Sequence, residues 1–208
     1  MREFATPKSK RTYEELLAAA DRVFVAKGYF ETRVADIAAN AGVSHGSFYS
    51  YFDSKDDVLA LIIGQMVEGL LTASGMAVSP AATPYLTLEA TIRQFLRAYQ
   101  ERSGLIGVLE QAVTIKPKFR EQRQLIRSQF GIRLERIISR QQSAHQHPDG
   151  VVLDPAIAAQ ALGGMVDDFA RACYLLGRHV PESVASETLA TIWARAVGLP
   201  IVREGSEN

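Results

Sequence analysis

Residues 33–55, which read RVADIAANAGVSHGSFYSYFDSK, decide the fold of the N-terminal part of the chain. Four apolar residues in its first half recur at helical spacing and predict a short helix with one apolar face: Val34, Ile37, Ala38 and Ala41. Gly42 is expected to end this helix at positive φ, where a residue without a side chain meets no steric penalty. The stretch therefore predicts a short helix that stops at a tight corner.

A second short helix is predicted to begin directly after this corner. The Ser44 hydroxyl can cap the free backbone amides, and Phe48 and Phe52, four positions apart, provide an apolar face. Two helices joined in this way are typical of the DNA-binding helix-turn-helix, whose second helix meets base edges in the major groove. The residues expected to read bases are His45, Gly46, Ser47 and Tyr49. Tyr51 and Lys55 lie further along, where a phenol and an ammonium suit phosphate oxygens.

The order of residues from Thr32 to Lys55 resembles the signature of the TetR (tetracycline repressor) family of bacterial transcription regulators. The matching groups are Asp36-Ile37-Ala38, Ala41-Gly42-Val43-Ser44, Phe48-Tyr49, Tyr51-Phe52 and Ser54-Lys55. The resemblance is close over about the first 60 residues, and beyond them it extends only to a general plan of several helices. One departure is the Arg33-Val34 pair, because the family often has small residues there. The capping hydroxyl of the first short helix is therefore expected from Thr32.

The expected organisation is all-α, with about nine helices. An N-terminal arm and a three-helix DNA-binding domain are predicted over residues 1–54, and a helical ligand-binding and dimerisation domain over residues 55–208. The first helix is predicted to start at Thr12 and to end at Lys27-Gly28. The later helices are predicted over residues 54–71, 86–102, 105–114, 117–142, 154–176 and 183–197. Residues 72–84 and 143–153 are expected to be loops, and residues 203–208 a frayed tail.

The charge of the chain does not by itself indicate a DNA-binding protein. The net charge is zero, and residues 1–60 contain eight Lys and Arg against nine Asp and Glu. Lys8, Lys10 and Arg11 form a basic cluster before the predicted first helix, where an arm could reach the minor groove or phosphates. A solvated tail is the alternative. The full set of predicted DNA-binding residues is Lys10, Thr32, Arg33, Ser44, His45, Gly46, Ser47, Tyr49, Tyr51 and Lys55.

Composition limits the class of protein. The 208 residues are 47% hydrophobic, which is typical of a globular protein with a sizeable core. No stretch of about 18 apolar residues and no apolar N-terminal segment occurs, so no membrane partner or secretory signal is expected. The single cysteine, Cys173, precludes an internal disulfide and suits a reducing compartment. A cytoplasmic location is expected.

The second half of the chain predicts a dimer and a ligand cavity. The last two helices have wide apolar faces, which either pair with a second copy as a four-helix bundle or form monomer core. A largely apolar cavity for a small-molecule effector is predicted from Phe95, Tyr99, Leu109, Glu110, Phe130, Met165, Asp168, Phe169 and Cys173. Glu110 and Asp168 either contact ligand or are solvated or paired. The segment 116–142 carries eight basic residues against two acidic ones, as a solvated face or as a source of arginines for an anionic ligand.

The sequence therefore predicts a ligand-responsive transcription regulator, a repressor that binds a palindromic operator as a homodimer and is released by a small molecule. The helix over residues 54–71 is expected to transmit the change. An activator, a ligand-independent DNA-binding module and an all-helical metal-dependent enzyme are the alternatives. No cofactor, metal site or catalytic residue is predicted, because His145, His147 and Asp149 in a turn-rich loop have no further ligand nearby.

Overall fold

The computed structural model describes residues 6–73, 83–144 and 147–201. Within these ranges the chain forms nine α-helices and no strand, which confirms the all-α prediction. The helices are α1 (Pro7–Glu31), α2 (Val34–Asn40), α3 (His45–Tyr49), α4 (Lys55–Ala73), α5 (Pro84–Glu101), α6 (Ser103–Ile115), α7 (Pro117–Ala144), α8 (Pro155–Tyr174) and α9 (Glu182–Ala196). Most of the predicted loop over residues 72–84 and the predicted tail lie outside the described residues. In the described part of the chain, no helix combines the length and apolar character needed to cross a membrane.

The chain divides into two compact units. Unit 1 comprises Met1–Val67 and Gly104–Arg123, and unit 2 comprises Glu68–Ser103 and Gln124–Asn208. Helices α4 and α7 contribute residues to both units. Nearly all of α6 and the first turns of α7 therefore pack with the three N-terminal helices, although both follow α5 in the chain. The predicted domain boundary after residue 54 stays a prediction.

Helix α1 begins earlier than the sequence predicted. Thr6 is its N-cap, with Oγ1 accepting a hydrogen bond from the Ser9 backbone N–H (3.1 Å), and Pro7 occupies the first helical position. Proline suits that position because its fixed φ is helical and its missing N–H has no partner there. The predicted start at Thr12 and the predicted basic arm are thus wrong. Lys8, Lys10 and Arg11 lie in the first turns of α1 instead.

Two glycines shape the chain around the helix-turn-helix. Gly28 interrupts α1 with φ 74° and ψ 176°, where the helix was predicted to end, and a short turn continues to Glu31. Gly42 has φ 68° and follows α2, and the Val43 N–H donates to the Ala38 carbonyl (3.0 Å). This hydrogen bond spans the left-handed residue and closes the end of α2. The predicted glycine corner is therefore confirmed.

The core of unit 1 contains six large apolar side chains from α1, α2, α3 and the residues that follow α3. All six are at most 4% exposed: Leu16, Phe24, Tyr29, Ile37, Phe48 and Phe52. Helices α4, α6 and α7 add fully or nearly fully buried side chains, including Val58, Leu59, Ile63, Leu105, Ala112 and Phe119. A unit of only three helices has little apolar surface to bury, so these additions enlarge the core that stabilises it.

Unit 2 is built around the packing of α5 on α9, with α8 beside α5. Glu89 is buried between α5 and α9, where its carboxylate accepts hydrogen bonds from Ser186 Oγ (2.5 Å) and from Arg93. On α7, Ile138 is fully buried while the neighbouring Ile137 is 42% exposed. One residue changes the direction of a helical side chain by about 100°.

Candidate nucleic-acid interface

Helix α3 presents a short row of side chains away from the core of unit 1. Ser44 is its N-cap, and Ser44 Oγ accepts a hydrogen bond from the Ser47 backbone N–H (3.1 Å), as predicted. Phe48 is fully buried and fixes the inner face of α3. The opposite side consists of the exposed His45, Gly46 and Tyr49 and the half-buried Ser47. We call these four residues the reading surface.

The side chains of the reading surface are ordered by local contacts. The His45 ring lies edge-on to the Tyr49 ring, with centroids 5.2 Å apart and planes at 74°. The Ser44 and Ser47 hydroxyls are hydrogen-bonded to each other (2.9 Å). A Cβ added at Gly46 would meet no atom within 4 Å, so glycine leaves open space at the centre of the surface. The arrangement offers donors, acceptors and a gap that a base edge could enter.

Thr32 does not take the position that the sequence predicted. It is 1% exposed, and its hydroxyl donates to the Gly28 carbonyl (2.7 Å) rather than capping α2. The N-cap of α2 is Arg33, whose backbone N–H donates to the Asp36 carboxylate (3.1 Å). The predicted capping role of Thr32 is therefore wrong, because its side chain closes the kinked end of α1. A buried hydroxyl has no access to phosphate.

Lys55 also faces inward. Its ammonium donates to the carbonyls of Tyr29 (2.7 Å) and Thr32 (2.8 Å) and lies 4.5 Å from the centre of the Tyr29 ring. Burial lowers the pKa of Lys55, and the neighbouring Asp56 carboxylate partly opposes this effect. The ammonium ties the start of α4 to the end of α1. It is committed to backbone carbonyls instead of the phosphate oxygens that the sequence suggested.

Other predicted phosphate contacts lie at the surface of unit 1. Arg33 and Lys10 are exposed, and Lys10 forms an ion pair with Glu14 (3.8 Å). Tyr51 is half-buried with its ring 6.3 Å from that of Tyr13. Near Arg33, Lys27 pairs with Asp36 (2.8 Å) and, together with the Arg33 backbone N–H, lowers the pKa of that carboxyl. Ion pairing thus reduces the number of free positive charges on a domain that is not basic in bulk.

Behind the reading surface, α6 and α7 contact the ends of α1 and α4 within unit 1. Gln111 Oε1 accepts a hydrogen bond from the Tyr29 backbone N–H (2.8 Å). The Tyr29 hydroxyl donates to Asp56 (2.7 Å). Burial is the larger cause, and the hydrogen bond to this carboxylate the second, of a raised pKa of Tyr29. Lys116 pairs with Asp56 (3.0 Å) and Lys118 with Asp57 (2.6 Å).

These contacts between α6 or α7 and the ends of α1 and α4 were not predicted from the sequence. The only signal was two adjacent acids at residues 56 and 57 and two lysines at residues 116 and 118, on segments far apart in the chain. Charge complementarity alone does not identify partners, because most charged side chains are solvated.

The predicted ligand-binding residues are distributed over both units. In unit 2, Phe95 lies 6.1 Å from Phe130 and 5.9 Å from Tyr99 between ring centroids, and Tyr99 lies 6.0 Å from Tyr174. We call these four rings the aromatic cluster; Tyr174 was not predicted. Met165, Phe169 and Cys173 on α8 are half-buried.

Neither predicted acid is without a partner. Asp168 has a side chain that is 73% exposed and pairs with Arg171 (3.1 Å). Glu110 belongs to unit 1 and pairs with Arg123 (2.9 Å), and the neighbouring Leu109 is buried there. Of the α7 arginines, Arg133 donates to the Leu71 carbonyl (2.6 Å). An anionic-ligand role for these arginines stays a prediction.

Part of the loop that contains His145, His147 and Asp149 lies among the described residues. His147 Nδ1 accepts a hydrogen bond from the Asp149 backbone N–H (3.2 Å), and its Nε2 lies 3.2 Å from the Arg195 carbonyl. His145 lies outside the described residues. Among the residues described, no group of three potential metal ligands occurs. Both ring nitrogens of His147 are thus engaged by the protein itself.

Comparisons with known sequences cover both the helix-turn-helix and the longer chain. Residues 16–62 match the family profile described as "Bacterial regulatory proteins, tetR family". The chain is 26% identical over 189 residues to the uncharacterized HTH-type transcriptional regulator YdgC of Bacillus subtilis, covering 88% of this chain and 91% of that protein. It is 29% identical over 121 residues to the HTH-type transcriptional regulator EthR of Mycolicibacterium smegmatis, covering 58% of this chain and 56% of that protein.

Solved structures share the fold over most of the chain. The fatty acid degradation regulator FadR from Bacillus halodurans matches with a TM-score of 0.73 at 18% identity, over 92% of this chain and 96% of that one. The TetR family transcriptional regulator PfmR from Thermus thermophilus matches with a TM-score of 0.66 at 22% identity, over 86% of this chain and 97% of that one. At such identities the likeness concerns the fold.

Proposed function

We propose that the chain, whose residues 16–62 match the tetR family profile of bacterial regulatory proteins, is a ligand-released repressor that binds a palindromic DNA operator as a homodimer. The observation that carries the proposal is the orientation of α3. Its buried Phe48 leaves His45, Gly46, Ser47 and Tyr49 on the outer side. These are the N-terminal residues of the second helix of a helix-turn-helix, the part that contacts bases.

Contacts to the DNA backbone are assigned to a different set of residues. Lys10, Arg33 and Tyr51 have the chemistry to bind phosphate and keep some surface exposure. Thr32 and Lys55 are left out, because both are held inside unit 1 by hydrogen bonds to backbone carbonyls. Ser44 serves as the cap of α3. Sequence specificity then depends on the four residues of the reading surface. The affinity for the DNA backbone depends on few positive charges, those of Lys10 and Arg33.

The dimer is proposed from the outer faces of α8 and α9 in unit 2. On α8 the exposed residues include Ile157 (69% exposed), Ala161 and Gly164. On α9 Val184 (52%) and Ile192 (45%) are exposed, while Leu189 and Trp193 are buried beneath them. Two such faces related by a two-fold axis would form a four-helix bundle. A dimer would present two copies of α3 to successive major grooves, about 34 to 36 Å apart.

The effector is proposed to be a largely apolar small molecule that binds unit 2 near the aromatic cluster. Half-buried aromatic and sulfur-containing side chains are typical of ligand sites between helices. To release DNA, the effector must bind the DNA-free form more tightly. A coupling of about 1 to 3 kcal/mol weakens operator binding roughly 5- to 150-fold.

Selection of bound duplexes from a random DNA pool tests this function directly. The full-length protein is expected to enrich one roughly palindromic sequence. Tyr49→Ala should abolish the enrichment and keep the wild-type circular dichroism spectrum. Phe30→Ala is the matched control, since Phe30 is a comparably exposed aromatic residue of unit 1 (54% against 49%) outside the reading surface. Enrichment that survives Tyr49→Ala would contradict the assigned surface, and no enrichment by the wild type would contradict the function.

Titration of the selected operator complex with a library of apolar compounds tests ligand release. A compound that raises the dissociation constant of the operator should also bind the protein alone, with an affinity that DNA reduces by the same factor. Transcription in vitro from a promoter overlapping the operator should fall on addition of the protein and recover with the compound. Increased transcription would identify an activator, and no release by any compound would favour a ligand-independent module.

A further inference from the structure

The reading surface has one side chain that can acquire a positive charge. Residues 44–52, SHGSFYSYF, contain no Lys, Arg, Asp or Glu. The next basic residue, Lys55, is bound to the carbonyls of Tyr29 and Thr32. His45 is therefore the only residue of α3 and its caps with a basic side chain.

His45 is free to respond to an approaching phosphate or base. It is exposed, and its ring contacts the Tyr49 ring edge-on. In the described part of unit 1 the His45 ring forms no ion pair or hydrogen bond. The contact with Tyr49 orders the imidazole without occupying either ring nitrogen.

Many charged groups of the neighbouring elements are paired within the protein, whereas Arg33 at the N-cap of α2 is exposed. On α2, Asp36 pairs with Lys27 of α1. On α1, Arg22 donates to Asn40 (2.8 Å), and Lys10 and Arg11 pair with Glu14 and Glu15. Beyond α3, Asp53 is exposed, and Asp56 and Asp57 pair with Lys116 and Lys118. Bound DNA would thus add phosphate charge next to a His45 ring that has no ion-pair partner in the described part of unit 1.

We propose that His45 is the titratable reader of the operator, and that the imidazole of each α3 binds protons from solvent more tightly once it has entered the major groove. This inference rests on the proposed function and adds a regulation to it. A protonated imidazole has two N–H donors, which suit the acceptor edge of guanine or a phosphate oxygen. Neutral imidazole has only one donor. The operator complex is accordingly tighter below pH 7 than above it.

Linkage sets the size and direction of the effect. Neighbouring phosphates favour the charged form of histidine, so the complex binds more protons than the free protein and is stabilised as pH falls. For histidines in general, a rise in pKa of about one unit on binding, from the usual value of about 6.5, lowers the dissociation constant about sixfold per histidine between about pH 8 and about pH 6. Two copies of His45 in a dimer would double this change on a logarithmic scale.

The test measures the dissociation constant of the selected operator across this pH range for the wild type and three variants. His45→Gln keeps a hydrogen-bonding side chain of similar size without the titration, and His45→Lys supplies a fixed charge. Both are expected to bind with an affinity that does not change with pH. His179→Gln is the matched control, because His179 is an exposed histidine of unit 2 outside the reading surface, and it should keep the wild-type dependence.

Salt dependence gives a second readout. The slope of the logarithm of the binding constant against the logarithm of salt concentration should be steeper at about pH 6 than at about pH 8, by about 0.9 for each His45 that contacts phosphate. His45→Lys should have the steep slope at both pH values, and His45→Gln the shallow one.

The possible results separate this inference from the proposed function. If the wild type selects no operator at any pH, the proposed function itself fails. If it binds an operator with an affinity independent of pH, only the role of His45 is overturned. The same holds if His45→Gln keeps the wild-type pH dependence, since another group would then take up the proton.

Discussion

The carboxamide oxygen of Gln111 lies 2.8 Å from the backbone nitrogen of Tyr29, a residue 82 positions earlier in the chain. This hydrogen bond satisfies an N–H that follows Gly28, where α1 loses its helical geometry. Gln111 thereby acts on the kink that leads from α1 into the helix-turn-helix. A buried amide left without an acceptor costs free energy, so the side chain of α6 stabilises the bent path of α1.

Replacement of Gly28 by alanine is expected to destabilise the protein by about 2 to 4 kcal/mol. Its φ of 74° and ψ of 176° lie in a region that is essentially restricted to glycine. A Cβ there would also lie 2.7 Å from Gln111 Oε1, so the hydrogen bond to Tyr29 would be displaced. Urea denaturation followed by circular dichroism measures the change in the free energy of unfolding.

Two other glycines serve as controls for this substitution. Gly42→Ala should lower the free energy of unfolding by only about 1 to 2 kcal/mol, the cost of positive φ for alanine. No atom lies within 4 Å of a Cβ at this position, so no contact is disturbed. Gly64→Ala should stabilise the protein by about 0.5 to 1 kcal/mol, since Gly64 lies within α4 with open space around it. Equal losses for Gly28→Ala and Gly42→Ala would refute the role of the Gln111 contact.

Lys55→Met is expected to reduce stability and to leave the salt dependence of operator binding unchanged. The substitution removes the donor to the Tyr29 and Thr32 carbonyls, at a cost of about 1 to 3 kcal/mol. A phosphate contact would instead contribute about 0.9 to the salt slope. Lys10→Met, at an exposed lysine of α1, should change stability by less than about 0.5 kcal/mol. A reduced salt slope with unchanged stability in Lys55→Met would restore the phosphate role.

Phe48→Ala is expected to lower the free energy of unfolding by about 2 to 5 kcal/mol, the usual range for large core deletions. Phe48 is fully buried and its ring lies 5.5 Å from that of Phe52. Tyr49→Ala next to it should cost less than about 1 kcal/mol, because Tyr49 is 49% exposed. Thermal denaturation of the two variants tests this contrast between adjacent aromatic residues. Similar losses of stability would mean that α3 does not turn its Tyr49 side outward.

Stability is expected to decrease in acid partly through Asp57. Hydrogen bonds from Lys118 and then from Ser54 hold the pKa of Asp57 below its ordinary value. The carboxylate therefore stabilises the fold above the unfolded-state pKa of about 3.9, and this contribution is lost as pH falls through the lower folded-state value. Because the side chain is 39% exposed, water limits the effect to about 1 kcal/mol or less. Urea denaturation gives the free energy of unfolding at neutral and at acid pH. The difference between the two values should be smaller for Asp57→Asn than for the wild type, and an unchanged difference would count against this role.

Ile192→Glu is expected to dissociate the proposed dimer and to weaken operator binding. A charge in the centre of an apolar interface is costly to desolvate. Ile132→Glu is the matched control, since Ile132 on α7 has nearly the same exposure (48% against 45%) and lies outside the proposed bundle. Sedimentation velocity reports the assembly state of both variants. Retention of the dimer in Ile192→Glu, or its loss in Ile132→Glu, would contradict the assigned interface.

The local sequence was sufficient to predict the helix-turn-helix itself. The Ser44 cap, the positive φ of Gly42 and the burial of Phe48 and Phe52 all depend on residues at most a few positions apart. Hydrogen bonds and periodicity over such distances follow directly from the geometry of a helix. The same is true of the Asp154 cap of α8, whose carboxylate accepts from the Ala156 and Ile157 N–H groups (3.0 and 2.9 Å).

Tertiary structure alone decided where Thr32, Lys55 and Gln111 point and which helices share a core. Their partners lie in a kinked helix end or on segments far away in the chain, and no periodic pattern encodes such pairs. A polar side chain near the surface gains almost the same free energy from water as from a protein group. The choice between solvent, DNA and a buried carbonyl therefore depends on the packing of α1, α4 and α6, which exists only in the folded chain.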